Sequence, residues 1–283
     1  MKMTRRQWLA RIGFYGSPMA AFGYGSLVEK QWIDLNRVDV PLSPRHGHLD
    51  GMTVAVLGDF HHDDFGDDQL IERAVTAIND EGVDLIMLVG DYISNDVSAA
   101  EPLCHELRNL RSKFGCFGIL GNHDCWNLDR NLLQYLEAAG IRLLVNESVE
   151  FDDFAVTGLD SIWGGSPSMA WAKREVPPEK PILLGWHEPD TFDNYQEDNI
   201  VLQMSGHTHG GQVCAPVYGP VLLPDYVVVG IDAHKPLLCS NRGCDKAHRD
   251  DERALYVTRG IGTITIPTRF LCRPEVAILT LKA

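Results

Sequence analysis

Short, continuously apolar runs alternate with longer segments of helical periodicity over the first half of the chain. A strand buried on both faces of a sheet is apolar at every position, whereas apolar residues spaced three and four apart indicate a helix. The predicted strands are 53–58, 84–90 and 116–120, and the predicted helices are 67–78, 98–112 and 128–138. This alternation predicts parallel strands joined by right-handed crossovers.

From Ile141 the pattern changes to shorter strands separated by turns. These predicted strands are 142–145, 149–151, 154–157 and 161–163, followed by an irregular insertion over 164–181 and by strands 181–186, 199–204, 254–258 and 276–281. We expect one four-layer α/β/β/α domain over 46–283, in which two mixed sheets are flanked by helices. Residues 1–45 are then an N-terminal segment and a linker that contains Pro41 and Pro44.

Composition and charge narrow the class of protein. With 25 Lys and Arg against 39 Asp and Glu, the chain carries a formal net charge of −14. This charge argues against a nucleic-acid-binding protein, although bound metal ions could supply positive charge for work on phosphates. The seven cysteines are scattered and define no disulfide framework. Cys239 and Cys244, followed by His248, are open to three interpretations: a zinc knuckle, a bridged loop or an unpaired loop.

The N-terminus differs from the rest of the chain. Its basic start and the pair Arg5-Arg6, followed by Trp8-Leu9, resemble a twin-arginine export signal. The alternative is an amphipathic helix that stays attached to a membrane surface. We therefore expect a membrane-associated or exported protein, with the membrane face left open. The long polar segment 219–252 is expected to be a lid or a partner surface.

Polar side chains follow five of the apolar strands at the point where each strand ends. They are Asp59, His61, Asp91, Asn122, His187, His207 and His209. Ligands of open α/β sheets bind at the carboxyl ends of strands, so these loops should converge on one cleft. Seven nitrogen and oxygen donors are too many for one tetrahedral ion, and the absence of Cys argues against a structural zinc site. Two ions about 3.5–4 Å apart that share Asp91 would use all seven.

The series D-x-H, G-D, G-N-H-D, H and G-H-x-H over residues 58–209 resembles the calcineurin-like metallophosphoesterases. The continuation to Gln212 and the tail 259–281 resemble a bacterial branch of that superfamily. That branch includes membrane-associated or twin-arginine-exported phosphodiesterases and enzymes similar to UDP-2,3-diacylglucosamine pyrophosphatase.

Carried over by position, the resemblance implies a site for two divalent ions, with Mn favoured over Fe or Zn. The first ion would be held by Asp59, His61, Asp91 and His209, and the second by Asp91, Asn122, His187 and His207. The ions would activate a bridging hydroxide for attack on phosphorus. We expect His123 to stabilise the phosphoryl group or protonate the leaving oxygen, with Asp124 orienting the His123 ring.

The resemblance and the N-terminus together favour a lipid-linked substrate such as UDP-2,3-diacylglucosamine. A membrane surface is the expected partner, nucleic acid is not, and the chain is expected to be a monomer. One alternative is a general phosphodiesterase or phosphomonoesterase of small cell-envelope metabolites, and another is an inactive metal-binding scaffold. Four apolar residues are candidates either for an acyl-chain groove or for the core: Trp126, Trp163, Met169 and Trp171.

Overall fold

The structure is a computed structural model and describes residues 19–194, 199–221, 230–232 and 253–283. Two six-stranded sheets of these residues pack face to face. The strands of the first are β1 (Asp34–Pro41), β2 (Thr53–Leu57), β3 (Leu85–Leu88), β4 (Cys116–Gly118), β5 (Ile141–Leu143) and β14 (Glu275–Lys282). Those of the second are β6 (Glu147–Glu150), β7 (Ala155–Gly158), β8 (Ile182–Gly185), β9 (Ile200–Ser205), β12 (Gly230–Asp232) and β13 (Ala254–Val257). A small hairpin joins β10 (Cys214–Ala215) to β11 (Gly219–Pro220).

The spatial order is β1-β14-β2-β3-β4-β5 in the first sheet and β12-β13-β9-β8-β7-β6 in the second. The central strands β2 to β5 are parallel, as are β7, β8, β9 and β13. Antiparallel pairs β14–β2, β6–β7 and β12–β13 make both sheets mixed. The predicted fold class is therefore confirmed.

Successive residues of each central strand face different hydrophobic layers. Val54 and Val56 of β2 lie in the core between the sheets, whereas Ala55 and Leu57 face the helices outside. In β8, Leu183 faces the same central core and its neighbours face an outer cluster that contains Trp186. Because side chains alternate across a strand, burial of both faces explains why these runs are apolar throughout.

Helices cover the outer faces of the sandwich. The described helical segments are α1 (19–27), α2 (His62–Phe65), α3 (Asp68–Glu81), α4 (Ala100–Leu107), α5 (Asn122–Trp126), α6 (Arg130–Ala138) and α7 (Met169–Ala172). Short 3-10 turns occur at Glu29–Gln31, Pro44–Leu49, Val97–Ala99, Pro189–Asn194 and His209–Gly211. Helix α3 begins where the Asp67 carboxylate accepts a hydrogen bond from the Leu70 N–H, and it ends at Gly82 in the left-handed conformation.

Several local predictions differ from the structure, three of them near the sheets and helices that carry the site. The linker includes β1, whose eight residues pair with β14 and extend the first sheet. The segment 161–163 is a turn, because the Ser161 hydroxyl accepts the N–H groups of Trp163 and Gly164, a local bond that competes with sheet pairing. The helix predicted over 98–112 is shorter and ends at Leu107.

Several sequence-based predictions concern residues outside the described ranges. They are the twin-arginine pair, the group formed by Cys239, Cys244 and His248, and most of the segment 219–252. Among the described helices, none has the length and apolar character needed to cross a bilayer.

The apolar face of α3 should contribute strongly to stability. Ile78 is fully buried between α3 and the first sheet. We expect Ile78→Ala to lower the free energy of unfolding by about 2–5 kcal/mol, because it removes buried methyl groups and leaves a cavity. The exposed Thr76 on the same helix is the control, and Thr76→Ala should change it by no more than about 0.5 kcal/mol. Equilibrium urea unfolding measures both, and equal effects would contradict the assigned packing.

Candidate metal centre and cleft

The structure brings all seven predicted metal ligands to one end of the sandwich. Each follows the carboxyl end of a strand: Asp59 and His61 after β2, Asp91 after β3, Asn122 after β4, His187 after β8, and His207 and His209 after β9. Two groups have ligand atoms close enough to share an ion, namely Asp59 with His61 and His209, and Asp91 with His187 and His207. A third such group joins His61, Asp91 and His123.

Five of these side chains are placed by left-handed backbone. The φ angles are 51° at Asp59, 40° at His61, 53° at Asp91, 69° at His207 and 50° at His209. Residues other than glycine seldom adopt positive φ, and such strain persists where surrounding contacts determine it. One such contact is the hydrogen bond from the His207 N–H to Asp59 Oδ1, at 2.8 Å. The loops are thus bent so that His207 and His209, two residues apart, both face the donor cluster, as do Asp59 and His61.

Distances between the donor atoms fit metal coordination. His61 Nε2 lies 3.0 Å from His209 Nε2 and 3.3 Å from Asp91 Oδ2, and His187 Nε2 lies 3.2 Å from the same carboxylate oxygen. Two ligand atoms about 2.1 Å from one ion, at right angles to each other, are about 3.0 Å apart. Asp91 therefore lies between the two groups, and the Asn122 side-chain oxygen joins the second at 2.9 Å from His207 Nδ1.

A buried oxygen atom supports the same interpretation. Among the described residues, Asp59 Oδ2 is buried without a hydrogen-bond partner. A buried polar atom without a partner is costly, and the cost is removed if the atom coordinates a cation. The residues present therefore fit divalent metal ions.

The electrostatics keep two of the four proposed histidine ligands neutral. Burial, together with repulsion from His187, lowers the pKa of His207 to about 4, and burial with repulsion from His61 holds the pKa of His209 well below its usual range. Both rings are therefore neutral near pH 7 and have lone pairs available for a metal. Burial acts against ionisation of Asp91, but His187 and His61 outweigh it and hold the pKa of this carboxyl well below its usual range.

Hydrogen bonds from the far side of two imidazoles fix their orientation. His187 Nδ1 donates to the backbone carbonyl of Val89 at 2.6 Å, which leaves Nε2 on the side of Asp91. His61 Nδ1 contacts the Ser94 hydroxyl at 2.9 Å, and its Nε2 likewise faces the cluster. Partners of this kind set the tautomer and direction of metal-binding histidines.

The partners of Asp124 correct one sequence-based expectation. Its buried carboxylate accepts the N–H groups of Gly121 at 2.9 Å, Tyr92 at 2.9 Å and Ile93 at 3.3 Å. His123 Nδ1 instead lies 3.1 Å from the carbonyl oxygen of Ser94. Asp124 therefore shapes the backbone of the ligand loops, and the Ser94 carbonyl orients the His123 ring.

Two supporting residues were not predicted from the sequence. Ser94 contacts His61 through its hydroxyl and His123 through its carbonyl. Asp63 holds the same loop, because its carboxylate accepts backbone N–H groups of Ser94, Asn95 and Asp96. An acidic residue just after the D-x-H motif was the one sequence signal, and it gave no indication of the distant loop that Asp63 binds.

An open cleft of about 410 Å³ lies over the donor cluster. Its lining includes Trp126 and Trp163, here called the aromatic wall, and Val213, Ile264 and Ile266, here called the aliphatic wall. Trp163 packs edge-on against His207, with ring centroids 4.8 Å apart.

Only part of the predicted acyl-chain groove faces this cleft. Trp126 and Trp163 line it. Met169, by contrast, is buried in the outer core cluster, and Trp171 is exposed and stacks with the Arg174 guanidinium. Met169 is therefore a core residue, because helix α7 turns it inward, and for Trp171 both the groove and the core interpretation are wrong.

A set of carboxylate, amide and imidazole donors at the strand ends of an α/β sandwich is the site of a metal-dependent hydrolase. Residues 52–211, more than half of the chain, match the family model described as calcineurin-like phosphoesterase. The chain belongs to this family and is a metal-dependent phosphoester hydrolase.

Similar proteins extend over the whole chain. Metallophosphoesterase YkuE of Bacillus subtilis (strain 168) is 28% identical, with 100% of this chain and 99% of that protein covered. Phosphodiesterase YaeI of Escherichia coli (strain K12) is also 28% identical, with 99% of each covered. UDP-2,3-diacylglucosamine pyrophosphatase LpxG of Chlamydia trachomatis is 22% identical, with 93% of each covered.

The closeness of Gly121 to Asp91 gives a test of the metal centre. A Cβ at residue 121 would lie 2.1 Å from Asp91 Oδ1 and 2.6 Å from the Asp91 backbone nitrogen. We expect Gly121→Ala to displace this carboxylate and to reduce the metal bound per chain by at least about half. Gly23→Ala is the matched control, since no atom lies within 4 Å of its Cβ position. The metal content of both purified variants is measured by elemental analysis. Wild-type metal content in Gly121→Ala would contradict the assignment of Asp91 as a metal ligand.

Proposed function

We propose that the chain hydrolyses a phosphodiester or pyrophosphate bond of a lipid-linked substrate, using two divalent metal ions. The observation that carries the proposal is the apolar cleft directly over the donor cluster. A substrate held there would have its phosphate against the polar floor and an apolar portion between the walls.

One ion would be held by Asp59, His61, Asp91 and His209, and the other by Asp91, Asn122, His187 and His207. Manganese is favoured, since mixed nitrogen and oxygen donors without sulfur suit it. When bound, the two ions would lower the pKa of a water nucleophile and neutralise the phosphoryl oxygens. Asp91 is the shared ligand in this arrangement because one carboxylate oxygen lies near both His61 and His187.

His123 is the proposed proton donor to the leaving oxygen. A carbonyl can only accept, so His123 Nδ1 carries a proton that it donates to Ser94 O. Nε2 is then the ring atom that can carry and release a proton at the cleft, which His123 lines. Its ring is packed between His61 and Trp126, with both centroid distances 4.9 Å.

The walls favour an apolar group beside the phosphate. Trp126 and Trp163 of the aromatic wall and Ile264 and Ile266 of the aliphatic wall present mostly carbon surface. UDP-2,3-diacylglucosamine is the proposed example, and it is named in the relative LpxG. We propose that the chain acts as a monomer. The basic, apolar N-terminus supports action at a membrane surface, by export or by attachment. Sedimentation with vesicles of anionic lipid tests the proposed binding to a membrane surface.

Two alternatives are separable by assay. A general phosphodiesterase of small envelope metabolites is supported by the relative named phosphodiesterase. An inactive metal-binding scaffold is disfavoured because His123 lies beside the proposed ligands, all of which are present.

The proposed role of His123 predicts a dependence on the leaving group. His123→Ala should reduce turnover of an alkyl phosphodiester by about 10²–10⁴-fold, because the alkoxide needs a proton as it leaves. Turnover of bis-p-nitrophenyl phosphate should fall much less, since p-nitrophenolate is a stable anion that leaves without receiving a proton. Metal content is measured alongside to separate loss of the acid from loss of ions. Equal losses for both substrates would contradict the acid role.

The lipid-linked assignment predicts preference for acylated substrate. With Mn²⁺, kcat/KM for UDP-2,3-diacylglucosamine should exceed that for UDP-N-acetylglucosamine by at least about tenfold, through contacts with the walls. A chelator should abolish both activities. Equal kcat/KM values would favour the general phosphodiesterase. Absence of chelator-sensitive turnover in a protein loaded with two ions, with bis-p-nitrophenyl phosphate included, would indicate the scaffold.

A further inference from the structure

We propose that Gln212 and Glu188 are positioning residues that fix the two apolar walls of the cleft and thereby set its selectivity for apolar ester groups. Gln212 follows His209 by three residues, and Glu188 follows His187 directly. The inference rests on the proposed function, because it assumes that the substrate occupies the cleft between these walls.

Gln212 connects the His207–His209 loop to the aliphatic wall. Its side-chain oxygen accepts the N–H of Ile264 at 2.9 Å, and its amide nitrogen donates to the carbonyls of Ile264 at 3.1 Å and Ile266 at 3.2 Å. The side-chain amide therefore makes the backbone hydrogen bonds that a neighbouring β-strand would otherwise make with residues 264–266. Three hydrogen bonds of defined direction leave the segment little freedom to move away from the metal ligands.

The backbone of Gln212 is itself constrained. Its φ is 55°, in the left-handed region, and the residue is only 8% exposed. Such a conformation is retained where surrounding contacts determine it, and the three bonds to the wall are contacts of that kind. The constrained backbone and the three hydrogen bonds explain why a glutamine ends the G-H-x-H-G-G-Q sequence, although Gln212 is not among the proposed metal ligands.

Glu188 has the matching position on the aromatic wall. Its carboxylate is fully buried and accepts the Ser161 hydroxyl and the Ile162 N–H, the latter at 3.2 Å. The Ser161 oxygen accepts the Trp163 N–H at 3.2 Å in turn. A buried carboxylate is costly unless it is well bonded, so these bonds strongly hold the turn that carries Trp163.

The two connections place both walls relative to the donor cluster. Trp163 lies edge-on to His207, and its carbonyl accepts the Trp126 indole N–H at 3.2 Å, which joins the two tryptophans into one surface. Dispersion contacts fall steeply when a gap of even 0.5–1 Å opens, about a quarter to a half of the attraction being lost. Small displacements of a wall should therefore weaken binding of a large apolar group more than that of a small one.

The test compares two diesters that share a leaving group. Bis-p-nitrophenyl phosphate carries a large second ester group, and methyl p-nitrophenyl phosphate carries a small one. We expect Gln212→Met and Glu188→Gln each to reduce the ratio of their kcat/KM values by about tenfold, mainly through a higher KM for the large diester. The matched controls are Gln134→Met and Glu137→Gln, at exposed positions of α6, and they should keep the wild-type ratio.

A second measurement follows the walls directly. Amide hydrogen exchange should rise in the 262–268 segment of Gln212→Met and in the 161–164 segment of Glu188→Gln, while the core strands keep their protection. If Glu188→Gln does not fold, Ser161→Ala removes the same connection from its other end. An unchanged kcat/KM ratio, or equal losses for both diesters, would overturn the proposal, as would unchanged exchange in both segments.

Failure of the proposed function can be told apart from failure of this inference. If wild-type protein with Mn²⁺ hydrolyses neither diester, the hydrolase assignment of the cleft fails. Calorimetry with phenyl phosphate and inorganic phosphate then decides the inference. The wild-type protein should bind phenyl phosphate more tightly than inorganic phosphate, and the ratio of the two Kd values should fall about tenfold in each variant. Retention of the preference in both variants would overturn the role of the walls.

Discussion

The buried carboxylate of Asp91 is the constraint on which the rest of the structure depends. It follows β3 of the first sheet and lies within 3.3 Å of His61 from that sheet and of His187 from the other. A carboxylate in this position is stable only with cationic or hydrogen-bonding partners. The carboxylate that would be the shared ligand in the proposed function therefore also ties the two sheets together at the end where the donor cluster lies.

Much of the fold and the composition of the donor cluster could be predicted from the sequence. Strands such as β2 and β8 are apolar at nearly every position and only four or five residues long, and this shortness separates them from helices in the sequence. Parallel strands end on one edge, so Asp59, Asp91 and His187 could be brought together without any structure. Such predictions succeed because they depend on local periodicity and on one general rule of sheet topology.

Contacts between distant backbone segments could not be predicted in this way. Asp124 was expected to face its neighbour His123, but its carboxylate bonds to backbone N–H groups more than thirty residues away in sequence, at Tyr92 and Ile93. Gln212 likewise bonds to a segment 52 residues later in the chain. Sequence patterns indicate which residues are polar and buried, but the backbone groups that satisfy them depend on loop paths, which carry no periodic signal.

The most direct test of two ions joined by Asp91 is anomalous diffraction from crystals grown with Mn²⁺. The account predicts two strong peaks about 3.5–4 Å apart, with Asp91 between them, Asp59, His61 and His209 at one peak and Asn122, His187 and His207 at the other. A single peak, or two peaks that do not share Asp91, would contradict it.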